Sequence, residues 1–259
     1  MVGPGPCDTS EIQRSVIDAA SRKGALLVPV LHFARYKNPH PNTPFFLEYC
    51  FHLLEGVQGK HVLDFGCGAG ENSLLLAARG AHVTAIDISP DLIEIAQQRL
   101  ALNHRTAEFH VASVYDTGLP DGSVDVVFCM AILHHLELER AQREILRVLK
   151  PGGILIMQEP VRDSRIYDFL RRLIPHSMHD NSEFERPLTK MELDSFCAGF
   201  QCERRRRFRL PFVALAIMLG LAKGPAWRLD RWVLDKMPIL ERLATVEVRK
   251  LRKAELLGL

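Results

Sequence analysis

The 259-residue chain has no excess of one charge: 33 lysines and arginines face 31 aspartates and glutamates, a formal net charge of +2. Nucleic-acid-binding proteins concentrate far more positive charge, so no nucleic-acid partner is expected. Its six cysteines (Cys7, Cys50, Cys67, Cys129, Cys197 and Cys202) show no paired metal spacing, which leaves reduced thiols in a cytoplasmic protein as the expectation. Residues 1–10 are rich in proline and glycine and lack an apolar signal core, so no export signal is expected. The apolar run 211–222 is too short to cross a bilayer, which takes about 20 residues. His176-x-x-His179-Asp180 has no third partner at a fixed spacing, so no metal site is expected. What remains is ordinary for a globular protein, at 47% hydrophobic and 25% charged residues. The length fits one large domain or a domain with a lid.

The chain is organised around His61-Val62-Leu63-Asp64-Phe65-Gly66-Cys67-Gly68-Ala69-Gly70. A strand through Val62 and Leu63 ends near Asp64, and the glycines turn the chain into a helix starting near Glu71. Glycine lacks a Cβ and tolerates positive φ, so a ligand can lie against this backbone. The first amides of the helix point into the same space. A second apolar strand, Ala81-His82-Val83-Thr84-Ala85-Ile86, ends at Asp87, the distance at which a strand-end acid meets a ribose.

Asp64-x-Gly66-x-Gly68-x-Gly70 followed by Asp87 resembles the class I S-adenosylmethionine-dependent methyltransferases. The nicotinamide fingerprint fits less well, because its third glycine would fall at Glu71. A nicotinamide oxidoreductase and a non-catalytic donor- or lipid-binding protein stand as the rival readings. The resemblance continues in Asp121-Gly122-Ser123-Val124-Asp125-Val126-Val127, in Leu133-His134-His135-Leu136 and in Arg147-Val148-Leu149-Lys150-Pro151-Gly152-Gly153. Together these motifs are most similar to the ubiquinone and menaquinone biosynthesis branch. The resemblance implies S-adenosylmethionine as cofactor, its ammonium near Asp64 and its ribose on Asp87. The implied donor contacts also include Tyr36, Gly66, Cys67, Gly68, Asn72 and Ile88, with Ser113, Val114, Cys129 and Met130 at the later strand ends. Many relatives place an aspartate where this chain has Ser113. A serine hydroxyl could take over that contact to the adenine, or the Val114 amide could bind the ring instead.

Strands and helices alternate from residue 60 to 158, which argues a parallel sheet with helices on both faces. The implied fold is α/β, a Rossmann-like seven-stranded methyltransferase sheet. It carries an N-terminal helical segment and a helical insertion between strands six and seven. The expected organisation is a helical cap over 1–54, a donor-binding core over 55–160 and an acceptor-side region over 161–259, all one globular unit. Within the cap, residues 11–31 read as a helix and 35–44, with three prolines, as a loop. Residues 167–174 read as helical, and Thr189 with Glu192 reads as a capping box. The run Arg204-Arg205-Arg206-Arg207 lies in the sixth strand, either as a solvated edge or as an anion contact. In the insertion, 211–243, a helical hairpin is expected either to pack on the core or to act as an acceptor lid or membrane contact. Phe212, Leu215, Met218 and Leu219 are its candidate pocket-lining residues.

Methyl transfer from a sulfonium is an in-line displacement, so alignment and exclusion of water carry most of the task, with positioning worth roughly 7–11 kcal/mol. A hydroxyl or acidic carbon must also lose a proton, and His134, His135 and Glu159 are the strand-end groups able to take it, with His135 and Glu159 expected on the acceptor side of the cleft and the other histidine as a helix cap or core contact. The expected partner is a small, lipophilic acceptor, with peripheral membrane contact as a further possibility from the insertion. The sequence leaves the oligomeric state open.

Overall fold

The computed structural model describes residues 26, 30–162, 187–220 and 223–254. Most of the expected helix over 11–31, the expected helix over 167–174 and the His176–His179–Asp180 group lie outside the described residues.

Helices α1 (Val30–Lys37) and α2 (Phe46–Leu53) precede the sheet. Then come β1 (His61–Phe65), α3 (Glu71–Ala78), β2 (His82–Asp87), α4 (Pro90–Leu102), β3 (Glu108–Val111), β4 (Val124–Met130), α5 (Leu138–Val148) and β5 (Leu149–Arg162). The second half contains β6 (Leu188–Thr189), α6 (Lys190–Cys197), β7 (Phe200–Phe208), α7 (Pro211–Met218), α8 (Lys223–Lys236) and β8 (Val246–Lys253). The main strand order is β3-β2-β1-β4-β5-β8-β7, with β6 beside β5. The first five strands run parallel, and β8 pairs antiparallel to both β5 and β7. Among the described residues the sheet has eight strands where seven were expected, the extra one being two residues long.

Successive strand residues enter opposite layers, as a period of two requires. Val62, Val126, Phe128, Ile156 and Val248 join one core with Phe51, Leu76 and Trp227. Leu63, Phe65, Val127, Leu155 and Met157 join the other with Ile145, Phe196 and Leu251. Both faces of the sheet are therefore covered, which is why the strands read as nearly continuous apolar runs. Local signals hold at the helix starts. Ser89 caps α4 ahead of Pro90, and Thr189 and Glu192 form the capping box of α6.

Four expectations change. Arg35, Tyr36 and Lys37 are helical, so the proline loop starts only after α1. The turn at Pro151-Gly152-Gly153 is absorbed into β5 as an irregularity in its pairing with β4. The four arginines divide: Arg204 and Arg205 are exposed, as on a solvated edge, while Arg206 is half-buried and Arg207 is buried. Arg205 and Arg207 both donate to the buried Glu247, where Arg249 joins them. Arg206 donates to the carbonyls of Pro41 and Thr43 and lies over the rings of Tyr49 and Phe208. The strand is an edge by topology, and Glu247 on the neighbouring β8 draws Arg207 inward.

The insertion is the fourth. It packs on the core through Val213, Trp227 and Leu234, all buried. Trp227 meets the rings of Phe45 and Phe46 at centroid distances of 6.0 and 5.7 Å. Of the four candidate pocket residues, Leu215 and Leu219 are exposed to solvent and Phe212 packs inward. The Met218 side chain lies outside the described set. The inward wall of the insertion is therefore aromatic and starts at Trp227, not at the expected leucines.

Candidate active site

The carboxyl ends of β1, β2 and β4 gather around the glycine loop 66–70, the position where open α/β sheets bind ligands. The loop is wired from several directions. Cys67 N–H donates to the carbonyl of Ile86 at 2.8 Å, tying it to β2. Gly68 N–H donates to Asp87 Oδ2 at 2.9 Å, while Asp87 Oδ1 accepts Ser89 N–H at 3.0 Å. Ser73 Oγ, in the first turn of α3, donates to Asp64 Oδ2 at 2.6 Å. The three glycines serve different ends. A Cβ on Gly66 would meet Ile132 Cδ1 at 2.0 Å, and one on Gly70 would meet Ala96 Cβ at 2.6 Å. Those two are glycine because neighbours press on them. Gly68 has φ +52° and nothing within 4 Å of where a Cβ would stand, so only there does the backbone face open space.

Asp64 is almost fully buried. Burial pushes its carboxyl up to about 7; the Ser73 hydroxyl and amide work against that rise, and the charge of Asp87 adds to it. A buried acid held in this way favours a neighbouring cation. An S-adenosylmethionine molecule fits these residues: Gly68 leaves room for it, Asp64 favours its ammonium and the α3 amides suit its carboxylate.

The other expected donor contacts divide. Asn72 in the first turn of α3 and Ile88 just after β2 are partly exposed near the loop. Ser113 follows β3, and its Oγ already accepts Tyr115 N–H at 3.2 Å, which leaves its own O–H to donate. The side chains of Cys67, Val114 and Cys129 are buried in the core, so any contact they make is through their main chain. Met130 is partly buried at the end of β4. Tyr36 is buried on α1 with its ring edge-on to Phe51 at 5.3 Å, and burial raises its hydroxyl pKa.

Beyond β4 the chain makes a short helical turn, Leu133–His135. Glu159 lies behind it, fully buried. Its Oε1 accepts the N–H groups of Ile132 and Leu133 at 3.0 and 2.8 Å, and its Oε2 lies 3.4 Å from His134 N and 2.7 Å from His134 Nδ1. The expected placing of Glu159 in the cleft is corrected: its carboxylate anchors the turn and holds His134. The carboxylate accepts, so Nδ1 donates to it and Nε2 points away from it; in the neutral ring Nε2 is then the nitrogen with the lone pair. The His135 ring lies against that of His134, tilted by 41°, with centroids 4.0 Å apart.

Sequence reasoning passed over Ser73 and Arg99. Ser73 sits in the first helical turn after a strand-end acid, a placement that signals a bond back to it. Arg99 falls seven residues after Leu92 and three after Ala96, on the apolar side of α4, and a charged residue there is the signal of a buried partner. Arg99 Nε donates to the carbonyl of Ala69 at 2.8 Å. Among the described residues no group of three or more His, Cys, Asp or Glu side chains is arranged to hold a metal ion.

A family model described as a methyltransferase domain matches residues 63–157. A ubiquinone biosynthesis O-methyltransferase of Aromatoleum aromaticum is 30% identical over 173 residues, which cover 63% of this chain and 72% of the relative. One of Xanthomonas oryzae pv. oryzae is 34% identical over 157 residues, covering 57% of this chain and 65% of the relative. The chain thus spans about 65% of the length of that relative. The geranyl diphosphate C-methyltransferase of Streptomyces coelicolor, solved with geranyl diphosphate and S-adenosyl-L-homocysteine, shares the fold. Its TM-score is 0.60 at 16% identity, covering 79% of this chain and 78% of that one.

Proposed function

The chain belongs to the S-adenosylmethionine-dependent methyltransferases, and from that premise we propose that it O-methylates a small, lipophilic acceptor. The relatives are named ubiquinone biosynthesis O-methyltransferases, and that naming is the model for this reading. The observation that carries it is the His134–Glu159 pair, which stands at the ends of β4 and β5 beside a loop suited to the donor. We read residues 1–54 as a cap, 55–160 as the donor core and 161–259 as the acceptor side.

S-adenosylmethionine, when bound, supplies an electrophilic methyl group on its sulfonium. The chain's own residues do the rest. Asp87 holds Gly68 N–H and takes the ribose hydroxyls; Asp64 receives the ammonium. Glu159 fixes the His134 ring through Nδ1, leaving Nε2 to accept the proton of the acceptor hydroxyl. The tilted His135 ring lies against it and limits its rotation. The aromatic wall of Phe45, Phe46 and Trp227 excludes water and packs against the apolar part of the acceptor.

The finer partner in this reading is a membrane surface that presents the acceptor. Leu215, Leu219, Leu229, Trp232, Met237 and Ile239 are exposed on the insertion, flanked by exposed Arg228, Lys236 and Arg242. An apolar face bordered by cations suits an anionic bilayer. No helix among the described residues is long and apolar enough to cross a membrane.

The test is incubation with labelled S-adenosylmethionine and a bacterial lipid extract, followed by mass spectrometry of methylated species. A methylated phenolic lipid is expected, and its formation by His134→Ala should be slower by roughly 10²–10⁴. Full turnover by His134→Ala would remove the base, and no labelled product with any extract would remove the activity.

A further inference from the structure

We propose that Arg99 is a positioning residue for the donor loop, holding its main chain so that the loop amides receive the amino-acid tail of the donor. This rests on the reading of 66–70 as the donor site. Arg99 projects from α4, and its side chain is only 6% exposed. Burying a guanidinium is costly unless its N–H groups find acceptors. Here Nε donates to the carbonyl of Ala69 at 2.8 Å, and Nη2 lies 3.5 Å from Glu71 Oε1 in the first turn of α3.

The peptide group is planar, so fixing the Ala69 carbonyl also fixes the Gly70 N–H on its other side. That N–H donates to the carbonyl of Cys67 at 3.0 Å. Gly70 itself is the left-handed N-cap of α3, at φ 76° and ψ 21°. Beneath it, α4 comes so close that an added Cβ would stand 2.9 Å from the main-chain Cα of Ala96. Helix α4 therefore buttresses the loop by contact at Ala96 and by a charged hydrogen bond at Arg99, one turn further on.

Among the described residues the amides of Ala69, Glu71 and Asn72 have no main-chain partner. They are the groups left to bind an anion, and the start of a helix favours one. With Arg99 in place, the Ala69 carbonyl is turned down toward α4. Without it, that peptide is held only by the Gly70 N–H bond to Cys67, so its oxygen can tilt toward the donor carboxylate and repel it, and a buried positive charge beside the loop is lost as well. Both effects act on the amino-acid tail and neither on the nucleoside.

The prediction separates two ligands. S-adenosylhomocysteine carries the tail; methylthioadenosine keeps the nucleoside and the thioether and lacks it. Calorimetry on Arg99→Met should show S-adenosylhomocysteine bound about tenfold or more weakly, the scale of one charge-assisted hydrogen bond, with methylthioadenosine unchanged. Arg99→Lys should recover part of the loss, since it keeps the charge and not the fork. If Arg99→Met does not fold, Arg99→Lys carries the test, and its smaller loss must still be confined to S-adenosylhomocysteine. Equal losses for both ligands would mean a merely structural arginine and overturn the proposal, as would undiminished binding of S-adenosylhomocysteine. Wild-type protein that binds neither ligand would instead overturn the donor-site reading on which it rests.

Discussion

Asp64 and Glu247 are both buried carboxylates at about 1% exposure, and their surroundings treat them in opposite ways. Burial lifts Asp64 to about 7, with the Ser73 hydroxyl and amide as the opposing bonds and Asp87 adding repulsion. Burial acts on Glu247 too, but the hydrogen bonds of Arg205 and the charges of Arg249 and Arg207 outweigh it and hold the carboxyl below the ordinary glutamate range. The fold supplies Glu247 with its cations, and among the described residues none stands beside Asp64. That contrast separates a structural acid, complete in the folded chain, from an acid whose environment is completed by a ligand. It also separates two halves of the molecule. The donor loop is held by hydrogen bonds between main chain and short side chains together with the buried Arg99. The β7–β8 half is held by arginines reaching acids some 40 residues away in sequence, Arg207 to Glu247 among them.

The largest effect should come from breaking the complete acid. Glu247→Gln keeps the shape and leaves Arg205, Arg207 and Arg249 without their shared charge, so unfolding should become easier by about 3–5 kcal/mol. Thermal and urea denaturation would read this loss. Binding of S-adenosylhomocysteine to the folded variant should be unchanged, and a large loss of binding would show that the two halves are not separable in this way.

The next effect belongs to the donor half. Asp87→Ala removes the bonds to Gly68 and Ser89 and the proposed ribose contact, worth roughly 1.5–3 kcal/mol of donor affinity, or about ten- to a hundredfold. Titration calorimetry on the folded variant checks it. A smaller effect distinguishes the glycines. Gly68→Ala meets no neighbour and should lower stability only by the backbone cost of a left-handed residue, about 1–2 kcal/mol, while its methyl group enters donor space. Gly70→Ala meets Ala96 and should cost more stability than Gly68→Ala, in a melting comparison of the two.

The two acids also predict opposite pH responses. The folded pKa of Glu247 is depressed, so its stabilisation is full above the ordinary glutamate value and is lost as pH falls through the folded one. The folded pKa of Asp64 is raised, so its contribution to the ligand-free protein is present at acid pH and is lost as pH rises toward 7. Denaturation from well below the ordinary glutamate pKa up to neutrality, in wild type and in each amide variant, should show the Glu247 contribution falling toward acid pH and the Asp64 contribution falling toward neutral pH.

The donor half was legible in the sequence because its parts are local. Three glycines after a strand-end acid, a second strand-end acid and a proline at a helix start each carry their meaning within a few residues. What stayed hidden there was the reason for each glycine, since Ile132 and Ala96 come from other elements and press on Gly66 and Gly70. The acceptor half was less legible for the same physical reason. A run of four arginines does not announce that its partner lies on the next strand. An almost wholly apolar helix does not say which side meets the core, so Leu215 and Leu219 were expected inside and are exposed. Glu159 was legible as a strand-end acid but not as an anchor, because its partners are main-chain amides that every sequence has.

The claim that Asp64 awaits the donor's ammonium has a direct test in proton linkage. The binding of S-adenosylhomocysteine would be measured by calorimetry near pH 6.5 in two buffers of different ionisation enthalpy, for wild type and for Asp64→Asn. An ammonium settling beside Asp64 lowers its pKa from about 7, so wild-type binding should release a fraction of a proton and tighten as pH rises toward neutrality. Asp64→Asn should bind more weakly and lose the part of the release that belongs to this group. Equal affinity and equal proton release in the two proteins would contradict the account and leave Asp64 as a structural partner of Ser73.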